Sequence, residues 1–256
     1  VWRANPVTRF RHTAYFLSFV PKIKKRIAYA ASFGIDHWAV SIKAPYTEIV
    51  KQEMKHFNSI SVRESTGIDI CKDVFGVKAT QVLDPTLLVD RSCFDSIIGN
   101  DKKKSVCGIV YYKLDVDTDF DITISHLSHE LNAVATNIYY SSMKTILGEK
   151  LFSYYEVHEW LQKIRDAELV VTDSFHCICF CILFEKEFIY YPNKKRGMTR
   201  LESLLGLLGL TERIFISSED LKNRNDWTRP IDYLIVNNIL DLERSKSDLF
   251  LKNALS

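Results

Sequence analysis

Long apolar runs are missing from this 256-residue chain; the longest, from Cys177 to Phe184, falls far short of the roughly 18 residues that a membrane-spanning helix requires. The sequence therefore predicts no transmembrane segment. Glycine and proline are scarce, nine and six residues, which excludes collagen-like and low-complexity chains. An excess of one charge is lacking too. Thirty-four Lys and Arg stand against 32 Asp and Glu, a net of +2, so no global field is present to hold nucleic acid. There is no Walker loop, GxGxxG, HExxH or paired CxxC. The chain opens without Met or a charged-then-apolar leader, as a segment of a longer gene product would.

What is present reads as a globular α/β protein. Six cysteines (Cys71, Cys93, Cys107, Cys177, Cys179 and Cys181) are more than a chain of this size needs as staples, and three crowd into one apolar stretch. Reduced thiols in a cytoplasmic protein are the expectation, with the Cys177-x-Cys179-x-Cys181 triple as core rather than metal ligands. Strands are predicted at 26–34, 59–62, 80–83, 105–112, 137–141, 168–171 and 187–191. Helical periodicity marks 44–57, 122–133, 156–167, 198–208 and a long amphipathic helix over the last thirty residues, its apolar positions including Ile231, Leu234, Ile235, Ile239 and Leu242. Strand alternating with helix predicts parallel βαβ units. The pattern loosens between Arg91 and Lys104, which places a boundary there. The expected division is 1–92, the remainder of an amino-terminal Rossmann-like lobe; 93–226, a carboxyl-terminal Rossmann-like lobe; and 227–256, a helix and tail packing back across the lobes.

Three constellations carry chemistry. Val171-Thr172-Asp173-Ser174-Phe175-His176 follows a buried strand with capping residues and puts His176 in the first turn of a helix if the stretch to Phe184 is helical. A helix end at the carboxyl edge of a parallel sheet suits an anion, and a histidine there suits proton donation; a histidine that only satisfies the backbone is the alternative. Arg63 directly follows a strand, where its fork suits a carboxylate or phosphate, the alternative being a salt bridge to Glu64. The loop from Lys194 to Arg200 heads a helix with four cations. Two other clusters carry less. The run Asp115–Asp121 fails as a calcium loop because Phe120 and His126 stand where Gly and Glu are required, and reads as a solvated loop. His126 and His129 lack a third ligand and read as surface residues, so no metal is expected.

Five segments in order, Ala30-Ala31-Ser32-Phe33-Gly34, Ser61-Val62-Arg63-Glu64-Ser65 with Gly67, Leu83-Asp84-Pro85-Thr86-Leu87-Leu88, the stretch from Val171 to His176, and Arg200 ahead of Leu204–Leu210, make the chain similar to the polysaccharide pyruvyl transferase family. The resemblance spans roughly residues 26–215. It implies a GT-B-like fold of two Rossmann-like lobes, the first incomplete at its amino end. It further implies transfer of a pyruvyl group from phosphoenolpyruvate to a sugar hydroxyl in polysaccharide biosynthesis for the cell envelope. Phosphoenolpyruvate enters as donor substrate, without a cofactor, and the acceptor is a sugar or lipid-linked oligosaccharide. The implied location is the cytoplasm, at the inner face of the membrane, with peripheral contact through the basic loops and the final helix. His176 and Arg63 take the catalytic positions; Ser32, Gly34, Glu64, Asp173, Ser174, Phe175 and Arg200 take the substrate-binding ones. Ser174 and Phe175 stand where some members carry a basic residue and Leu. A nucleotide-sugar glycosyltransferase and a catalytically silent sugar-binding protein are the competing readings.

Overall fold

The computed structural model describes residue 2 and residues 12–38, 44–99, 107–146, 149–193 and 197–256. In chain order the first part holds β1 (Ile27–Ala31), α1 (Ala44–Met54), β2 (Ser59–Val62), α2 (Ser65–Asp69) running into a π-helical turn at Ile70–Val74, β3 (Thr80–Gln81) and α3 (Pro85–Leu88). The middle holds α4 (Arg91–Ile98), β4 (Cys107–Tyr112), α5 (Thr118–Glu130), β5 (Ala135–Asn137), β6 (Ser142–Ile146), β7 (Glu149–Ser153), α6 (Val157–Asp166), β8 (Ala167–Thr172), α7 (Phe175–Leu183) and β9 (Glu187–Tyr190). The chain ends with α8 (Thr199–Leu207), α9 (Ser218–Asn223) and α10 (Tyr233–Leu255).

The α/β class with parallel sheets is what the chain adopts. Two units form, and they are not contiguous in sequence: the first takes Val1–Leu88, Lys194–Gly209 and Leu234–Ser256, the second Val89–Asn193 and Leu210–Tyr233. The expected linear blocks, 1–92 and 93–226, give way to this interleaving for a visible reason. Ser203 of α8 accepts from the Ser65 amide and from Gln81, both at 3.0 Å, and Ser247 of α10 accepts from the Leu83 amide at 3.0 Å, so both late helices are tied to the first unit.

In the first unit the sheet runs β1-β2-β3, all parallel. Its strands are short and its apolar core is aromatic-rich, with Phe33, Val62, Cys71 and Phe75 fully buried. The register of β1 slips between Ala28 and Ala31, and Ala30 takes a positive φ of 50°. This bulge is satisfied by one hydroxyl: Ser61 Oγ accepts from the Ala30 amide and donates to the Ala28 carbonyl, each at 3.0 Å. A bulge at a strand end re-aims the chain that follows, here Ser32-Phe33-Gly34.

In the second unit the parallel sheet runs β5-β4-β8-β9, and β6 and β7 form a separate antiparallel hairpin. The central residues of β4, β8 and β9 are buried on both faces, which explains the apolar runs of these three strands. Helix α7 is buried nearly all round: Cys177, Cys179 and Cys181 are each fully buried and reduced. Burial pushes the Cys181 thiol well up from its ordinary range. Cys71 and Cys93 are also free thiols.

Three expectations are corrected. The stretch from Arg91, expected to be loose, is helical through Ile98, because Asp90 accepts from the Ser92 amide and caps it; the three lysines at 102–104 lie outside the described residues. The acidic run is not simply solvated. Asp117 caps α5 through the Phe120 amide, and Asp119 accepts from Ser218 and from the Tyr191 hydroxyl. Helix α10 exposes much of the stripe expected to pack: Leu234, Ile235 and Leu242 face out while Val236, Leu240 and Ser247 are buried, because the Ser247 bond and the Arg244 bond to the Leu87 carbonyl fix its rotation.

Candidate functional site

Each unit presents its candidate residues at the carboxyl ends of its parallel strands. In the first unit, the chain leaves β2 through Arg63 and Glu64. Glu64 is fully buried, and its Oε1 accepts three bonds, from Ser32 Oγ at 3.0 Å and from the amides of Phe33 and Gly34 at 2.6 and 2.9 Å. A carboxylate that gathers successive amides makes the loop after β1 rigid and satisfies donors that burial would otherwise leave stranded. Glu64 Oε2, equally buried, has no hydrogen-bond partner among the described residues. The same charge acts on Cys71, whose thiol is pushed up to about 12, first by burial and then by Glu64.

Arg63 pairs not with Glu64 but with Asp84, from Nη1 to Oδ2 at 2.5 Å, and its side chain is 11% exposed. Asp84 is buried, which alone would raise its pKa; the Thr86 amide and the Arg63 guanidinium outweigh burial and hold the carboxyl below its ordinary range. Arg200 lies over Gly34: a Cβ placed there would be 3.6 Å from Arg200 Nε. Gly197 sits closer still. It has a φ of +82°, and a Cβ on it would fall 2.6 Å from the Gly34 carbonyl oxygen, so only glycine fits. The structure thus brings Ser32, Gly34, Glu64 and Arg200 together, with Arg63 adjoining Glu64 on the same strand end.

In the second unit, β8 ends at Thr172 and the turn Thr172-Asp173-Ser174 leads into α7. Thr172 Oγ1 donates to the Tyr112 carbonyl at 2.6 Å and accepts from the Ser174 amide at 3.0 Å. Ser174 caps α7, its Oγ accepting from the Cys177 amide at 3.4 Å. Phe175 is buried and meets the His176 ring edge-on, with centroids 5.5 Å apart. His176 itself is exposed. An exposed imidazole therefore stands on the first turn of a buried helix, at the carboxyl edge of a parallel sheet, where open α/β folds bind ligands.

Asp173 points inward. Its Oδ2 takes a bond from Lys113 Nζ and its Oδ1 one from the Leu114 amide, both at 3.2 Å. Lys113 closes β4 and was not singled out by sequence, because a lysine after an apolar strand reads as a solvated terminus. His126 and His129 belong elsewhere. They lie on α5, and His126 lines a cavity of about 610 Å³ at the opposite, amino edge of the sheet, beside Glu168 and Glu187 at the starts of β8 and β9. Among the described residues no cluster of His, Cys, Asp and Glu is arranged to hold a metal.

A sequence profile described as polysaccharide pyruvyl transferase matches residues 5–195, more than half of the chain. The chain belongs to the polysaccharide pyruvyl transferase family. No curated protein sequence matches. Among solved structures, one described as the wall teichoic acid polymerase TagF is similar at 13% identity and a TM-score of 0.38, over 90% of this chain and 66% of that one. No helix among the described residues is long and apolar enough to cross a membrane.

Proposed function

We propose that the protein transfers the pyruvyl group of phosphoenolpyruvate to two hydroxyls of a sugar in an envelope or capsular polysaccharide, forming a cyclic ketal and releasing phosphate. The reading rests on family membership and on one observation above all: His176 is exposed on the first turn of α7, just beyond a turn that the side chains of Thr172, Asp173 and Ser174 fix by hydrogen bonds. The chemistry balances with side chains alone. A proton goes to the methylene carbon of the donor, leaving a cationic centre at the enol carbon. One sugar hydroxyl adds there; a second displaces phosphate as the bond between that carbon and the phosphate oxygen breaks. One hydroxyl proton replaces the proton given to the methylene carbon, and the other leaves with phosphate.

His176 is the proposed proton donor, a role worth on the order of a hundredfold or more in rate. Arg63, at the carboxyl end of β2, would hold a carboxylate or phosphate oxygen through its guanidinium. Ser32, Gly34, Glu64 and Arg200 shape the anion-binding loops of the first unit; Asp173, Ser174 and Phe175 fix the turn that carries His176. Phosphoenolpyruvate is the donor and the acceptor a sugar or lipid-linked oligosaccharide, which would bring the protein to the inner face of the membrane. Phosphate release from phosphoenolpyruvate, dependent on a hexose acceptor, is the expected result. Turnover of a nucleotide-sugar instead would make the protein a glycosyltransferase, and binding of phosphoenolpyruvate without turnover would make it a silent homologue.

A further inference from the structure

The buried ion pair beneath the histidine turn joins Asp173, a candidate from the sequence, to Lys113, which the sequence did not single out. The Lys113 and Asp173 side chains are 2% and 1% exposed. Lys113 Nζ donates to Asp173 Oδ2 and to the Tyr191 carbonyl, each at 3.2 Å, and lies 5.6 and 5.5 Å from the ring centres of Phe120 and Tyr191. Tyr191 in turn donates its amide to the Thr172 carbonyl at 3.0 Å. A single ammonium thus joins the carboxyl ends of β4, β8 and β9, three neighbouring strands, directly under the turn that begins α7.

Stability alone does not ask for this arrangement. A buried ion pair is often matched or bettered by apolar side chains of the same volume, because the desolvation of both charges offsets their attraction. What the pair supplies is direction. Asp173 can rotate only against Lys113 and the Leu114 amide, so the peptide between Thr172 and Ser174 is held at one orientation, and the exposed ring three residues beyond Asp173 inherits it.

We infer that Lys113 is a positioning residue: through Asp173 it sets the orientation of His176, and a neutral pair of the same shape would fold yet misplace the ring. The inference rests on the proposed role of His176 for its kinetic consequence, though not for its structural one. Three variants test it, Lys113→Met, Lys113→Met/Asp173→Asn and Lys113→Arg, each examined by thermal unfolding, by the imidazole NMR signals of His176 (assigned with His176→Ala), and by phosphate release from phosphoenolpyruvate with a hexose acceptor.

Lys113→Met strands a buried carboxylate and should melt well below wild type. The double variant should recover most of that loss, yet show a shifted or broadened His176 signal and at least a tenfold lower kcat with the acceptor KM unchanged. Lys113→Arg, which keeps the cation, should recover much of the kcat. A double variant with wild-type His176 signals and wild-type kcat would overturn the inference. If wild-type protein does not consume phosphoenolpyruvate, the proposed reaction falls, and the His176 signals still decide the role of Lys113.

Discussion

Replacing Glu64 by Ala is the perturbation whose size follows most directly from the structure. Three donors, the Phe33 and Gly34 amides and the Ser32 hydroxyl, converge on one buried oxygen. Removing the acceptor leaves them without a partner in a place water does not reach, at about 1–3 kcal/mol for each stranded group. Some relaxation of the loop lowers the sum, so a loss of about 3–6 kcal/mol is expected. That is a large share of the roughly 5–15 kcal/mol that holds a typical domain together. Glu64→Gln should cost less, about 1–3 kcal/mol, since its carbonyl oxygen can still receive the three bonds while the charge is lost and a buried NH2 replaces the partnerless Oε2. Removing that charge should also bring the Cys71 thiol down from about 12, since Glu64 adds to the effect of burial there. Urea unfolding of the three proteins, with hydrogen exchange at Phe33 and Gly34 as the local probe, measures the difference. Glu64→Ala within 1 kcal/mol of wild type, with those two amides still protected, would show that Glu64 does not hold the loop.

Other outcomes follow from the same geometry. Gly197→Ala should destabilise the first unit by about 1–3 kcal/mol, seen as a lower Tm, because it combines a left-handed backbone with a Cβ 2.6 Å from the Gly34 carbonyl oxygen. The Asp84 carboxyl is held below its ordinary value in the folded state, so its contribution to stability is complete above the unfolded pKa near 3.9 and is lost as pH falls through the lower folded value. Arg63→Met should move that loss to higher pH in acid-unfolding curves, since only the Thr86 amide and its neighbours then oppose burial. Ser174→Ala removes the cap of α7 and should cost about 0.5–2 kcal/mol in urea unfolding.

Much of the architecture was legible because the strands are short, apolar and separated by amphipathic segments. Val62, Val110 and Val170 are fully buried strand residues, and burial on both faces leaves an unbroken apolar signature. The hairpin β6–β7 escaped notice because its residues are mixed and exposed, so neither period two nor period 3.6 stands out. Helix α4 escaped because Ser, Cys and Asp interrupt its stripe, and its cap is legible only once the helix is known. The site was legible as motifs rather than as contacts. Sequence placed Arg63, Glu64 and Asp84 in neighbouring motifs, yet nothing in their spacing told which carboxylate takes the guanidinium and which the loop amides; the choice is made by the β1 bulge, which turns Phe33 and Gly34 toward Glu64. Asp173 looked like a ligand-facing acid for want of its partner, since Lys113 lies 60 residues away and meets it only because β4 and β8 pair with Tyr112 opposite Thr172.

One measurement bears on the whole account: the fate of phosphoenolpyruvate in the presence of a hexose acceptor, followed at once by phosphate release and by the appearance of a ketal carbon in the NMR spectrum, for wild type and for His176→Ala at equal thermal stability. Phosphate and ketal should appear together with wild type, and the variant should be slower by about two to four orders of magnitude. Equal rates for the two proteins, or phosphate released without a ketal, would contradict the account.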